Sequence, residues 1–347
     1  MIYSRLNRVI YLINKKGGST MNVLRNLMKK QLETYGIKLV VIGIEGPDCI
    51  GKGTFAKSLT NYLTQSLDKK KFLKPILASF PDYDETLTGK LIGDILKGKV
   101  EFPNDTRKEA GMNLVMKANR NYKFHNIVDN LLRDLKLKDM GKVQIVISDR
   151  TCYSALVYSF ATAYLDAYKG NFSDEKAEIF FTKLIEKFSD LGVYETVKRD
   201  ALIKALRDGV KDISENAIGA YLTNFDYFRR LVDYTIATEY EEGIPMPDFI
   251  IQVNEDFDDP RSREAHKFLQ DERAERLGKD LNEANEKLQE MVSLIYYRAR
   301  NVISTLVKDT SYYDLGEKKD MFVAFGTNFN NTKYEEKVLE IIKAANL

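Results

Sequence analysis

Residues 44–59 read IEGPDCIGKGTFAKSL, and this stretch decides the fold. Gly46 and Gly51 enclose four residues and are followed by Lys52, Gly53 and Thr54. Upstream, KLVVIGI (38–44) is a continuous run rich in β-branched residues, as expected of a parallel strand buried on both faces. Downstream, Phe55, Leu59 and Leu63 recur at steps of four, which is one face of a helix. Strand, glycine turn, helix is the order that builds a phosphate cradle. Glycines let successive N–H groups turn inward around an anion, the helix start adds partial positive charge, and Lys52 reaches the outer phosphates. The strict pattern wants Ser or Thr directly after the lysine. Gly53 intervenes here, so Thr54 is the expected hydroxyl ligand for magnesium, direct or through water.

Working outward, apolar PILASF (75–80), VQIVISDR (143–150), DFIIQV (248–253) and MFVAFG (321–326) alternate with helical patterns, including a long one from about Thr106 to Leu137. Five short apolar strands separated by helices predict a doubly wound α/β sheet, whose ligands bind beyond the carboxyl ends of the strands. Asp48, Asp82, Asp149 and Arg150 follow such ends and are expected to converge on one cleft. Residues of about 165–243 keep helical spacing throughout and predict a helical insertion. Within it, ALIKALRDGVKDISENAIGAYL could be drawn as a DNA-reading helix-turn-helix, but acidic residues are mixed among its basic ones, which favours packing or an oligomer contact. The charged stretch DDPRSREAHKFLQDERAERLGKDLNE brings Arg261, Arg263 and Arg273 close together in sequence.

The 53 lysines and arginines nearly cancel the 51 aspartates and glutamates, leaving a net charge of +2 over 347 residues. That balance argues against nucleic acid and acidic membrane as partners. No apolar run approaches a membrane span. Cys49 and Cys152 are too few for a disulfide framework and suggest a reducing, cytoplasmic setting. Residues 1–36 read as a loose amino-terminal extension without the pattern of a secretory signal, in which Met21 is a second candidate start. The remainder, 37–347, reads as a single catalytic unit.

Taken together and in order, IEGPDCIGKGT, SFPDY, TGKLIGDIL, VMKANR, VISDRTCYSALVYS and GIPMPDFIIQV resemble the thymidylate kinase family. The resemblance covers about residues 38–160 and 243–345. It implies a three-layer P-loop kinase fold on a five-stranded parallel sheet, a commonly dimeric assembly, and transfer of the ATP γ-phosphoryl group to the 5′ phosphate of deoxythymidine monophosphate with magnesium. By resemblance, Gly46, Gly51, Lys52, Gly53, Thr54 and Phe55 would hold ATP, with Gly326 and Thr327 of FGT beside adenine. Asp149 would sit near the magnesium waters. Asp48 would lie beside the acceptor sugar, Arg150 would bridge the phosphates, Arg120 would face the base, and Tyr158 would pack on the sugar. Phe80 and Pro81 would border the acceptor. DERAE looks like a mobile lid, placed at about 256–280.

Three positions depart from the family. Cys49 stands where many members carry a catalytic arginine, which shifts the expected stabilising charge to Arg261, Arg263 or Arg273 of the lid. Tyr83 replaces an arginine that grips the acceptor phosphate. Met116 replaces a phenylalanine stacked on thymine, and sulfur contacts are worth ~0.3 to 1.5 kcal/mol against ~1 to 3 for stacking on a base. A more adaptable grip and a related deoxypyrimidine substrate follow. Two rival readings share the cradle: a deoxynucleoside kinase, for which Asp82 would be the general base, and a non-catalytic nucleotide-binding module.

Overall fold

The computed structural model describes residues 27–83, 86–102, 105–168, 207, 219, 239, 243–253, 260–277, 285–298, 322–325 and 333–344. Its centre is a parallel sheet. Strand β1 (Lys38–Glu45) pairs on one side with β3 (Val143–Asp149) and on the other with β4 (Phe249–Val253). Strand β2 (Ile76–Ser79) extends the β3 side, and β5 (Phe322–Phe325) pairs with β4, giving the order β2-β3-β1-β4-β5.

Because β1 is buried along nearly its whole length, it reads as unbroken apolar sequence rather than an alternation. Alternate residues serve opposite faces. Val40, Ile42 and Ile44 pack with Phe55, Leu59 and Leu63 of α2 (Lys52–Ser66) and Ile342 of α8 (Lys333–Ala344). Leu39 and Val41 pack instead with Met28 and Leu32 of α1 (Leu27–Glu33) and Phe124 and Val128 of α4 (Asp105–Asp134). Helices therefore cover both faces, and each fully buried aliphatic side chain contributes ~1.5 to 3 kcal/mol.

Two boundaries differ from the sequence reading. Met28 is 2% and Leu32 0% exposed, so the packed chain includes residues assigned to a loose extension ending at 36. A seven-residue helix flanked by lysines carries too short a pattern to stand out, and its apolar residues find their partners only across the sheet. The long helix ends at Asp134 rather than Leu137, where a 3-10 turn, Leu137–Asp139, takes over.

The register sets the site. Ile44 is paired with Asp149, and Ser79 with the same residue, so β1, β2 and β3 end at one level. The glycine loop, the Asp149–Arg150 turn and the Phe80–Asp82 turn consequently lie side by side. The last is pinned by α3 (Leu87–Leu96), whose cap residue Thr86 accepts the Gly89 N–H at 2.9 Å. A Cβ on Gly89 would stand 1.6 Å from the Asp82 carbonyl oxygen, so only glycine lets this helix approach so closely. Asn119 of α4 ties the two together, donating to Thr86 Oγ1 at 2.7 Å and accepting from the Asp82 N–H at 3.1 Å.

The remaining described helices are α5 (Cys152–Tyr168), α6 (Pro260–Leu277) and α7 (Glu286–Arg298). The insertion expected at about 165–243 lies mostly outside the described residues, as do Gly326 and Thr327. No helix among the described residues is long and apolar enough to cross a membrane.

Candidate active site

The glycine loop owes its shape to its neighbours. Gly46 has φ 151°, and a Cβ there would fall 2.1 Å from the Val253 carbonyl oxygen at the end of β4. Gly51, with φ 92°, leads into α2 without any side-chain capping bond, leaving the first-turn N–H groups of that helix for an anion. Cys49 adopts φ 62° and Arg150 φ 74°, left-handed conformations that non-glycine residues seldom occupy. Such strain costs roughly 1 to 3 kcal/mol and concentrates at functional turns.

Lys52 is 5% exposed and donates its ammonium to the Pro47 carbonyl, with Asp48 Oδ1 3.9 Å away. Burial pulls its pKa down to about 8, although Asp149, Glu45 and Cys49 favour the charged form. Asp149, half-buried, is shifted the other way: burial raises its pKa, Lys52 partly restores the charged form, and Glu45 adds to the rise. A Cβ on Gly53 would lie 3.0 Å from Asp149 Oδ2. The glycine between Lys52 and Thr54 thus keeps the approach to that carboxylate clear. Thr54 itself is exposed.

Asp48 joins the loop to the rest of the site. Its carboxylate accepts from Arg150 Nη2 and from the Tyr158 hydroxyl, and the Arg150 guanidinium lies 6.0 Å from the Tyr158 ring centroid. Burial pushes the Tyr158 hydroxyl well above the ordinary tyrosine value, so it stays a donor. These three residues enter a cleft of about 670 Å³, counting space open to solvent. Phe80, Pro81, Tyr83, Met112, Asn113, Met116, Arg120 and Arg273 line it as well. The cleft therefore grades from a charged end at Asp48 and Arg150 to an apolar end at Leu96, Met112 and Met116.

Of the three lid arginines expected from sequence, Arg273 lines the cleft and sets Nη1 3.7 Å from Cys49 Sγ. Arg261 and Arg263, on the same helix α6, are exposed and do not line it. Asp82 is likewise outside the lining: its carboxylate takes the Lys123 ammonium at 2.6 Å.

Four contributors escape sequence reasoning. Glu45, 1% exposed, accepts the Thr151 N–H at 2.7 Å and the hydroxyls of Thr151, Ser154 and Tyr296, and so seats the start of α5 beneath the loop. Its only signal is a carboxylate at the end of an apolar strand. Glu239, 1% exposed, holds Arg120 through Nε at 3.0 Å and through Nη2. His266, 3% exposed on α6, places Nε2 2.6 Å from the Asp48 carbonyl oxygen. Asn113 donates Nδ2 to Ser159 Oγ at 2.5 Å on the cleft wall.

No protein-family model matches the chain, and no curated protein does. Among solved structures, a thymidylate kinase from Candida albicans, described for its broad substrate specificity and a novel structural element, is similar at 18% identity. The likeness covers 88% of this chain and 92% of that one with a TM-score of 0.42, too distant to carry an argument about fold or activity.

Proposed function

We propose that this chain is a P-loop nucleoside monophosphate kinase, transferring the γ-phosphoryl group of ATP to the 5′ phosphate of deoxythymidine monophosphate or a related deoxypyrimidine monophosphate. The single observation that carries the reading is the Asp48–Arg150–Tyr158 cluster, which stands both against the Lys52 loop and at the charged end of the cleft. Donor and acceptor phosphates repel one another, and transfer needs fixed positive charge where they meet. Lys52 and the open N–H groups of α2 hold the donor, Arg150 lies between the two sides, and Arg273 of α6 covers the junction. The apolar end, with Met116, takes the base, and Tyr158 faces the sugar.

Magnesium would be held by the Thr54 hydroxyl and the Asp149 carboxylate, directly or through water. The missing Cβ at Gly53 and the burial of Asp149 fit a cation there. The chemistry it supplies is neutralisation of phosphate charge.

A kinase for the bare nucleoside needs a general base at the 5′ hydroxyl. Asp82, the candidate for that role, is paired with Lys123 away from the cleft lining, and Asp48 is engaged by Arg150 and Tyr158. The test is an ADP-release panel over all deoxynucleoside monophosphates, 5-substituted uracils and the bare nucleosides. Turnover is expected on deoxypyrimidine monophosphates. Turnover confined to nucleosides, or ATP binding without transfer to any of them, overturns the proposal.

A further inference from the structure

The face that α6 turns toward the body of the protein is polar. Among its described side chains, His266 alone is buried, at 3% exposed, and Gln270 and Arg273 are half-buried. These three follow at steps of four and three, which puts them on one face of the helix. Phe268 and Leu269 are 67% and 37% exposed, so no apolar stripe seats this stretch of helix. Its seating rests on directional bonds instead. The two ends of the polar strip meet consecutive residues of the glycine loop: His266 Nε2 lies 2.6 Å from the Asp48 carbonyl oxygen, and Arg273 Nη1 lies 3.7 Å from Cys49 Sγ. A carbonyl oxygen only accepts, so Nε2 carries the hydrogen and donates it. Exclusion of water strengthens that bond electrostatically.

Arg273 lines the cleft at the end of a long, flexible side chain, and where its guanidinium stands depends on how the helix backbone is held. His266 precedes it by seven residues, about two helical turns, and points the same way. We infer that His266 is a positioning residue: its Nε2–H bond to the Asp48 carbonyl seats α6 on the glycine loop and thereby sets the Arg273 guanidinium where donor and acceptor phosphates meet. This deepens the proposed function and rests on it. The loop that wraps the donor phosphates thus also supplies the fixed point from which a charge on another helix is aimed.

The test is steady-state transfer from ATP to thymidine 5′-monophosphate by the full chain, alongside amide hydrogen exchange over residues 260–277. His266→Phe keeps a ring and loses the donor; kcat is expected to fall about tenfold, the equivalent of about one buried hydrogen bond, while the Kd for ATP changes by less than about threefold. His266→Gln, which restores a side-chain N–H, should recover most of the rate. In an Arg273→Ala background the His266→Phe change should cost less than about twofold more, because residues that act as one unit do not add. Exchange over 260–277 should quicken in His266→Phe and not in His266→Gln. His266→Ala takes the place of the phenylalanine variant if that does not fold. An undiminished kcat in His266→Phe, a full tenfold loss persisting beneath Arg273→Ala, or unchanged exchange overturns the role of His266, while wild-type turnover leaves the kinase reading intact. Absence of transfer by wild type overturns both.

Discussion

Raising the pH from about 7 to about 9 should weaken ATP binding through one residue, Lys52. Its ammonium is buried, and desolvation lowers its pKa to about 8 against the pull of Asp149, Glu45 and Cys49. Phosphate contact favours the charged form, so the bound complex keeps its proton at both pH values. In the free protein, a pKa of about 8 leaves about nine-tenths of Lys52 charged at about pH 7 and about one-tenth at about pH 9. Affinity should fall by roughly tenfold over that range, with proton uptake on binding rising from about 0.1 to about 0.9 per site. Isothermal titration in two buffers of different ionisation enthalpy measures both quantities. Lys52→Met should bind more weakly by ~2 to 5 kcal/mol and show a flat profile.

Stability carries the opposite dependence. The folded-state pKa is lowered, so protonated Lys52 destabilises the fold below about pH 8, and the cost is relieved as pH climbs from about 8 toward the ordinary 10.5. Relative to Lys52→Met, wild type should gain on the order of 3 kcal/mol across that window in denaturant melts. An ATP affinity that is flat from about pH 7 to about pH 9, with no proton uptake, would refute the assignment of Lys52 as a buried, phosphate-seeking ammonium.

Two further outcomes are expected. Arg120→Ala should destabilise the protein by ~3 to 5 kcal/mol in denaturant melts by stranding Glu239, whereas Arg120→Ala with Glu239→Ala should recover much of that and still fail to discriminate bases while binding ATP normally; equal loss of both functions would contradict it. Gly53→Ala places a methyl 3.0 Å from Asp149 Oδ2 and should raise the magnesium concentration needed for half-maximal turnover by about tenfold, with the melting temperature nearly unchanged.

The sheet was legible because β1 and β3 are buried on both faces, so their apolar runs survive as continuous sequence. The loop was legible because close backbone packing demands glycine at Gly46 and a left-handed residue at Gly51, and those demands have a fixed spacing. Partnerships were not. Glu239 lies 119 residues from Arg120, and His266 lies 218 from Asp48, separations over which local pattern carries no information. Asn113 is one polar residue on α4, and its Ser159 partner lies 46 residues away. The arginines of α6 look alike in sequence, yet Arg273 lines the cleft while Arg261 and Arg263 are exposed outside its lining.

Asp48 is gripped at both of its ends, the carbonyl by His266 and the carboxylate by Arg150 and Tyr158. A single residue consequently ties α6 to the Asp149–Arg150 turn and to α5. On the proposed function, a shift of α6 against the glycine loop would load the same residue that orients Arg150 and Tyr158, so the donor and acceptor sides would be coupled through Asp48.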